Sequence, residues 1–243
     1  DQEGIIKFND LKRYTGRFNL SQKVLQDRIT LDLNLNVTNT LSQRPPLEGV
    51  LGSVLSMNPT FPAYDGNGNP SIFPEVTNPL TQLQWYEDIT NTTRVVGNFS
   101  PSIEIIKGLV YKLNIGIDNS ASDRDIQSLP STTPFQEGAL DSYFVNNKNS
   151  LIENYLTYTF DKGDHDVTLL AGHSYQKIFV QTRGWSIDRF ADNGLEPRYN
   201  PGLGQDPTLA DNAPSGSAFI NELQSFFGRV NYSFRSKYLL TAT

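Results

Sequence analysis

Two histidines, His165 and His173, are the first side chains to weigh as metal ligands or proton carriers. They fall on one side of a single alternating stretch, but four strand positions apart, too far for easy joint ligation. A histidine near a turn and another in a wall are the plainer reading. Asp161, Asp164 and Asp166 crowd one tight connection, where short acidic side chains serve turn chemistry and solvation. YDGNGNPS opens like a calcium loop, with Asp65, Asn67 and Asn69. Pro70 stands where the glycine of such a loop belongs, however, and Val76 where its bidentate glutamate belongs. PGLGQDP, with Gly202 and Gly204, leads from no strand into a helix, so it does not read as a phosphate loop. The sequons at Asn91 and Asn98 fall on expected strands. No catalytic constellation, cofactor site or metal site emerges, and the chain is not expected to be an enzyme.

Two sets of side chains suit recognition instead. Trp85, Tyr86, Trp185 and Tyr199 lie in or beside long polar connections, where flat rings can stack on sugar faces or grip peptide side chains. Packing of one loop against another is the ordinary alternative. Arg13, Arg17, Arg94 and Arg229 fall on the polar faces of alternating stretches.

Those stretches are the elements that must position everything else. In Arg28–Asn39, Ile29, Leu31, Leu33, Leu35 and Val37 share one face, against Thr30, Asp32, Asn34, Asn36 and Thr38 on the other. Period two is the mark of a half-buried strand. Leu109–Asn119 repeats it, with Leu113 and Ile115 on the apolar side. The strands pair into hairpins: Leu11–Val24 with Arg28–Asn39, Thr93–Ile105 with Leu109–Asn119, Leu151–Phe160 with Val167–Gln181, and Asn221–Phe234 with Tyr238–Thr243. Short connections join the partners. Compatible registers place Phe160 opposite Val167, Tyr158 opposite Leu169, Phe99 opposite Ile115 and Tyr232 opposite Leu240.

Between hairpins, Leu41–Asp88, Ser120–Ser150 and Arg183–Ala218 read as long loops rich in Pro, Gly, Asn, Asp and Ser. Short turns on one side and long loops on the other are the asymmetry of an outer-membrane β-barrel. Tyr158 and Phe160, like Tyr232 and Phe234, crowd toward the short turns, as an interfacial girdle would. The fold class is therefore all-β, an antiparallel transmembrane barrel segment of about eight strands. Leu31, Leu33, Leu113, Ile115, Tyr158, Phe160, Tyr232 and Phe234 are its lipid-facing residues. A soluble β-sandwich shows the same alternation on its inner face, and the one-sided loops favour the barrel over it.

Composition agrees. Hydrophobic residues make up 37% and aromatics 11%, with no cysteine. Mean hydropathy is −0.42. No apolar run approaches the roughly 20 residues of a membrane helix, but a barrel exposes only alternate residues to lipid. A net charge of −6 and the absence of a basic stripe argue against nucleic acid. The opening DQEGIIKFND reads like the middle of a longer chain, and YLLTAT stops in strand.

FFGRVNYSFRSKYLLTAT closely resembles a barrel segment of the SusC/RagA family of TonB-dependent outer-membrane transporters, found in Bacteroidetes. In that family an "fgRvnYsy…kYlltat" hairpin continues into an "RrDGSS" stretch. DQEGIIKFNDLKRYTGRFNL is similar to the family's "dqeGi…kRyslR.Nl" strand entry. The resemblance implies a plugged barrel of twenty-two strands in the cell outer membrane, to which residues 1–243 would contribute about eight. It further implies a SusD-like surface lipoprotein, TonB acting through a plug and TonB box not present here, and import of oligosaccharides or peptides. In a plugged barrel the four arginines would meet plug carboxylates more often than substrate. A secreted glycan-binding β-sandwich, and a complete small structural barrel, are the other readings that the residues allow.

Overall fold

The computed structural model describes residues 1–132, 135–205 and 209–243. In chain order they form β1 (Gln2–Glu3), β2 (Asp10–Val24), β3 (Ile29–Arg44), α1 (Leu47–Ser56), α2 (Pro79–Trp85), β4 (Tyr86–Ile106) and β5 (Leu109–Ser128). There follow β6 (Ser131–Thr132), β7 (Phe135–Gln136), β8 (Gly138–Lys162), β9 (His165–Phe190), β10 (Ser215–Phe234) and β11 (Tyr238–Ala242). Apart from β6 and β7, which pair with each other, the strands make one nine-stranded antiparallel meander in chain order. No described helix is long and apolar enough to cross a membrane, which says nothing of strands.

The expected registers hold. Phe160 pairs with Val167 and Tyr158 with Leu169, Phe99 with Ile115, and Tyr232 with Leu240. Paired residues share a face, so Leu31, Leu33, Leu113, Ile115, Tyr158, Phe160, Tyr232 and Phe234 all lie on one side of the sheet. That side carries a slanting apolar band. Ile29, first of its set on β3, is level with Ile103, then with Tyr111, second of its set on β5, then with Leu156, third from the turn on β8. A level hydrophobic belt drawn across tilted strands takes this form. On each strand the band runs about nine residues, the length a tilted strand needs to cross a bilayer. Many of its side chains are exposed, Phe18, Leu35, Phe99, Ile115, Ile152, Leu156 and Val230 among them.

The long-loop expectation needs correcting. β5 runs to Ser128 and β8 starts at Gly138, so most of Ser120–Ser150 is paired strand and only 129–137 connects. β9 likewise continues to Phe190, which leaves 191–214 between it and β10. Above the apolar band polar residues occur on both faces, so period-two hydrophobicity disappears while the backbone ladder continues. Polar cross-strand pairs support it: Thr92–Ser122 at 2.9 Å, Ser142–Asp125 at 2.6 Å and Thr182–Ser217 at 2.9 Å. The 45–85 connection keeps its loop character but holds α1 and α2.

The small buried core, Leu140, Ile187 and Phe190 with Trp185 against it, lies on these extensions. It occupies the same side of the sheet as the apolar band, beyond it. The 191–214 connection folds back there: the Gln205 amide donates to the Asp188 carbonyl at 2.9 Å, and Pro197 is fully buried. Gln127, only 1% exposed, fixes the strap. Its Nε2 donates to Glu87 at 2.7 Å and Glu196 at 3.0 Å, and its Oε1 accepts the Arg198 amide at 3.1 Å. The Arg198 guanidinium bridges the same two carboxylates at 3.4 and 2.7 Å.

Candidate lumenal face and extracellular mouth

Opposite the apolar band, the sheet is lined by Asn, Ser, Thr, Asp, Lys and Arg. Arg13 and Arg17 are on this face, level with Thr40 and Asn36 of β3. Arg94 is level with Thr38 and Ser120, and Arg229 with Leu170. Their chemistry differs. Arg94 forms a bidentate pair within the wall, to the two carboxylate oxygens of Asp118 at 2.8 and 2.6 Å. Arg229 donates to the Thr243 hydroxyl at 3.2 Å. Arg13 and Arg17 have no side-chain partner among the described residues and stand exposed. Higher up, Arg124 grips the buried Asp88 at 2.8 and 2.7 Å. Beside that pair burial pushes the Tyr86 hydroxyl up from its ordinary pKa, and the Asp88 carboxylate pushes it further.

Two shallow clefts of mixed lining run along this face. One, of about 400 Å³, is lined by Asn19, Ser21, Asp32, Asn34, Asn98, Ser100 and Lys112. The other, of about 530 Å³, continues past Lys112 to Asn114, Tyr155 and Thr157. Ser100 donates to Asn114 Oδ1 at 2.8 Å, and Asn114 to Glu153 at 2.7 Å, while Asn98 also donates to Asn114. A row of amides, hydroxyls and a cation suits hydroxyl- or amide-bearing solutes. Sequence reasoning singled out none of Lys112, Asn114 or Glu153, and weighed Asn98 only as a sequon, although strand parity alone puts all four on the polar side.

The four candidate rings separate into two places. Trp85, at the end of α2, and Tyr86, at the start of β4, border a cleft of about 270 Å³ with Pro46, Gly49, Thr77, Gln82, Ser128 and Gln136. Trp185 belongs to β9 rather than to a loop. It meets the Phe144 ring at a tilt, with centroids 4.9 Å apart, and packs against the Leu140–Ile187–Phe190 core. Tyr199 is 69% exposed on the strap, with the Arg198 guanidinium 4.9 Å over its ring. Tyr86 has the parity of the lumenal residues and Trp185 that of the opposite side.

The histidines are tied up separately. His165 Nδ1 lies 2.8 Å from the Tyr232 hydroxyl, and His173 sits between Asn154 and Gln224. Among the described residues no group of three or more His, Cys, Asp or Glu could hold a metal ion. Asp65 Oδ1 accepts the Asn67 and Asn69 amides at 2.9 and 2.8 Å, so this carboxylate serves a turn. Asp164 pairs with Arg235 at 2.7 Å. Pro201–Leu203 makes a short 3-10 turn; the last two residues of PGLGQDP lie outside the described residues.

An antiparallel meander with one apolar and one polar face, tight turns at one edge and extended hairpins at the other, is the wall of an outer-membrane β-barrel of the TonB-dependent transporter type. Comparison places it more closely. The chain is similar over its whole length to SusC-type TonB-dependent receptors. It is 30% identical to TonB-dependent receptor P26 of Formosa agariphila, over 99% of this chain and 25% of that protein. It is 29% identical to receptor P3 of the same organism, over 100% of this chain and 25% of that protein. Identity to TonB-dependent receptor SusC of Bacteroides thetaiotaomicron is 22%, over 100% and 26%. Among solved structures, the RagAB peptide transporter superposes with a TM-score of 0.72 at 22% identity, over 93% of this chain and 26% of that one. No family model matches the chain. The chain thus spans about a quarter of the length of the relatives it matches.

Proposed function

We propose that residues 1–243 are a partial barrel domain of a SusC/RagA-type nutrient importer, working with a SusD-like surface lipoprotein and energised by TonB through a plug outside this stretch. The observation that carries this reading is the two-faced wall, together with similarity to TonB-dependent receptors that extends over the whole chain. Arg13 and Arg17, exposed and unpartnered on the lumenal face, are suited to meet carboxylates of a plug. Trp85 and Tyr86 stand beside the amides of Gln82 and Gln136 and the Thr77 hydroxyl. A flat ring beside hydrogen-bonding groups suits a sugar or a peptide. Trp185, committed to a buried cluster, is the least suited of the four rings to touch a solute.

The test is uptake by a strain lacking the chromosomal copy and complemented with the full-length gene. Growth on a panel of oligosaccharides and peptides identifies the substrate. Trp85→Ala is expected to raise the concentration needed for half-maximal growth on it by about 10-fold, the loss expected of one stacking ring. Trp185→Phe is expected to leave it unchanged. Equal growth of wild type and deletion strain on every solute would overturn the importer reading.

A further inference from the structure

The cleft of about 270 Å³ beside Trp85 and Tyr86 lies well inside the sheet, since β4 and β5 are the fourth and fifth of its nine strands. Its walls are held from several directions. The Trp85 carbonyl accepts the Leu129 amide at 2.6 Å, and the Tyr86 amide donates to the Gln82 carbonyl. Buried Asn78 caps α2 by accepting the Leu80 amide at 3.0 Å, and its own side-chain amide donates to the Ala63 and Ser71 carbonyls at 2.9 and 3.0 Å. Gln82 Nε2 ties α2 to α1 through the Ser53 hydroxyl at 2.7 Å. Walls fixed in advance lose little to ordering when a guest enters.

The hydrogen-bonding groups round the cleft are uncharged and largely uncommitted. Gln136 Nε2 donates to the Leu129 carbonyl at 3.0 Å. A carbonyl only accepts, so this contact fixes which end of the carboxamide is which and leaves Oε1 as the acceptor. That oxygen, like the Thr77 and Ser128 hydroxyls, has no hydrogen-bond partner among the described residues. No other ring packs on the Trp85 indole among them either. Among the described residues no charged side chain lines the cleft. The charged groups that reach Tyr86 from beyond it are Asp88, Arg124, Asp141 and Arg44, two of each sign, and Asp88 is already paired with Arg124 at 2.7 Å.

A charged guest would have to give up water here with no counter-ion to meet it, which disfavours any ionised group. A peptide link offers one donor, whereas a sugar ring carries hydroxyls round its rim and C–H groups on its faces. The Gln136 oxygen and the two hydroxyls answer the rim, and the indole answers a face. Volume sets the number of units. Drug-sized ligands occupy roughly 300–1,000 Å³, so this smaller cleft has room for about one ring.

We propose that the cleft is a subsite for one uncharged sugar ring of the imported solute, laid on Trp85 with a hydroxyl donating to Gln136 Oε1. The inference deepens the importer reading and rests on it. A uronate, a sulfated ring and a peptide unit are all excluded from this position. The cleft lower on the lumenal face is lined by Asp32 and Lys112 among others and does not share that selectivity.

The test is growth of the deletion strain complemented with the full-length gene, on cellohexaose, xylohexaose, mannohexaose, hexagalacturonate, a sulfated carrageenan hexasaccharide and hexa-alanine, beside the wider panel. The solute that needs the gene is expected to contain neutral sugar. Thr77 is exposed, so its variants are expected to fold, as heat-modifiable migration on electrophoresis checks. Thr77→Asp and Thr77→Lys are each expected to raise the concentration for half-maximal growth by about 5-fold, because a neutral ring is hindered by a charge of either sign. Thr77→Ser is expected to leave it unchanged. Opposite shifts for Thr77→Asp and Thr77→Lys, no shift in either, or gene-dependent growth on acidic glycans or peptide alone overturns the subsite while leaving the importer reading in place. No gene-dependent growth on any solute removes the importer reading, and the subsite with it.

Discussion

Single residues at the turn edge carry backbone strain that can be tested. Arg235 and Ser236 sit at φ of 52° and 53°, and Leu25, Gln26 and Asp27 at 53°, 55° and 67°. For side-chain-bearing residues that conformation costs about 1 kcal/mol or more each, whereas Gly108 and Gly163 meet the same need without it. Ser236→Gly is therefore expected to stabilise the protein by about 1 kcal/mol, read from the urea midpoint in lipid vesicles. Gly108→Ala is expected to do the reverse, because a Cβ there would run into the Thr159 carbonyl. Asp65 offers a pH test at the same scale. Amides hold its carboxyl below the ordinary 3.8, that of Asn69 first. A depressed carboxyl contributes stability that is present above its unfolded value and lost as pH falls through its folded one. The turn 65–69 is thus expected to loosen only in acid below that range, as amide exchange at Asn67 and Asn69 would show; faster exchange at neutral pH than in acid, after correction for intrinsic rates, would contradict it.

At the scale of elements, what decides legibility is whether one face of a strand meets an apolar medium. Leu109–Ile117 could be placed from sequence because lipid on one side and a polar lumen on the other impose period two. The continuation from Asn119 to Ser128 could not, because Ser120, Ser122, Asp123 and Asp125 put polar side chains on both faces and read as loop. The common polar face of Arg13, Arg17, Arg94 and Arg229 followed from the same parity. The Arg94–Asp118 pairing did not, since it depends on the register of β4 with β5. The strap over β9 left no local signal at all: Gln127 is 60 or more residues from Glu196 and Arg198, separated by 69 and 71. That strap makes its own prediction. Gln127→Leu removes the group that satisfies Glu87, Glu196 and the Arg198 amide together. The 191–214 segment should open at a cost lower by about 1–3 kcal/mol, seen as protease cleavage near Asp192–Gly194 that wild type resists while the barrel stays intact.

For the whole molecule the two-sidedness of the wall is what matters, and neighbouring residues on one strand expose it. Leu33 and Asn34 are adjacent but face opposite ways. Leu33→Lys, on the lipid side, is expected to cost about 2–4 kcal/mol if near the midplane, and Asn34→Lys, on the lumenal side, close to nothing. Equal costs in a vesicle unfolding assay would contradict the assignment of faces. His173, set between Asn154 and Gln224, falls outside this simple division, since parity puts it on the face of the apolar band.

The apolar band takes up only about nine residues of each strand, whereas β8 and β9 are 25 and 26 residues long. The same unbroken hydrogen-bonded ladder therefore continues from the bilayer into the extracellular space without a hinge. Such a rim is mechanically a stiff collar. Between these ladders, the 45–85 and 191–214 connections are the described segments at this end of the sheet that long strand pairing does not hold.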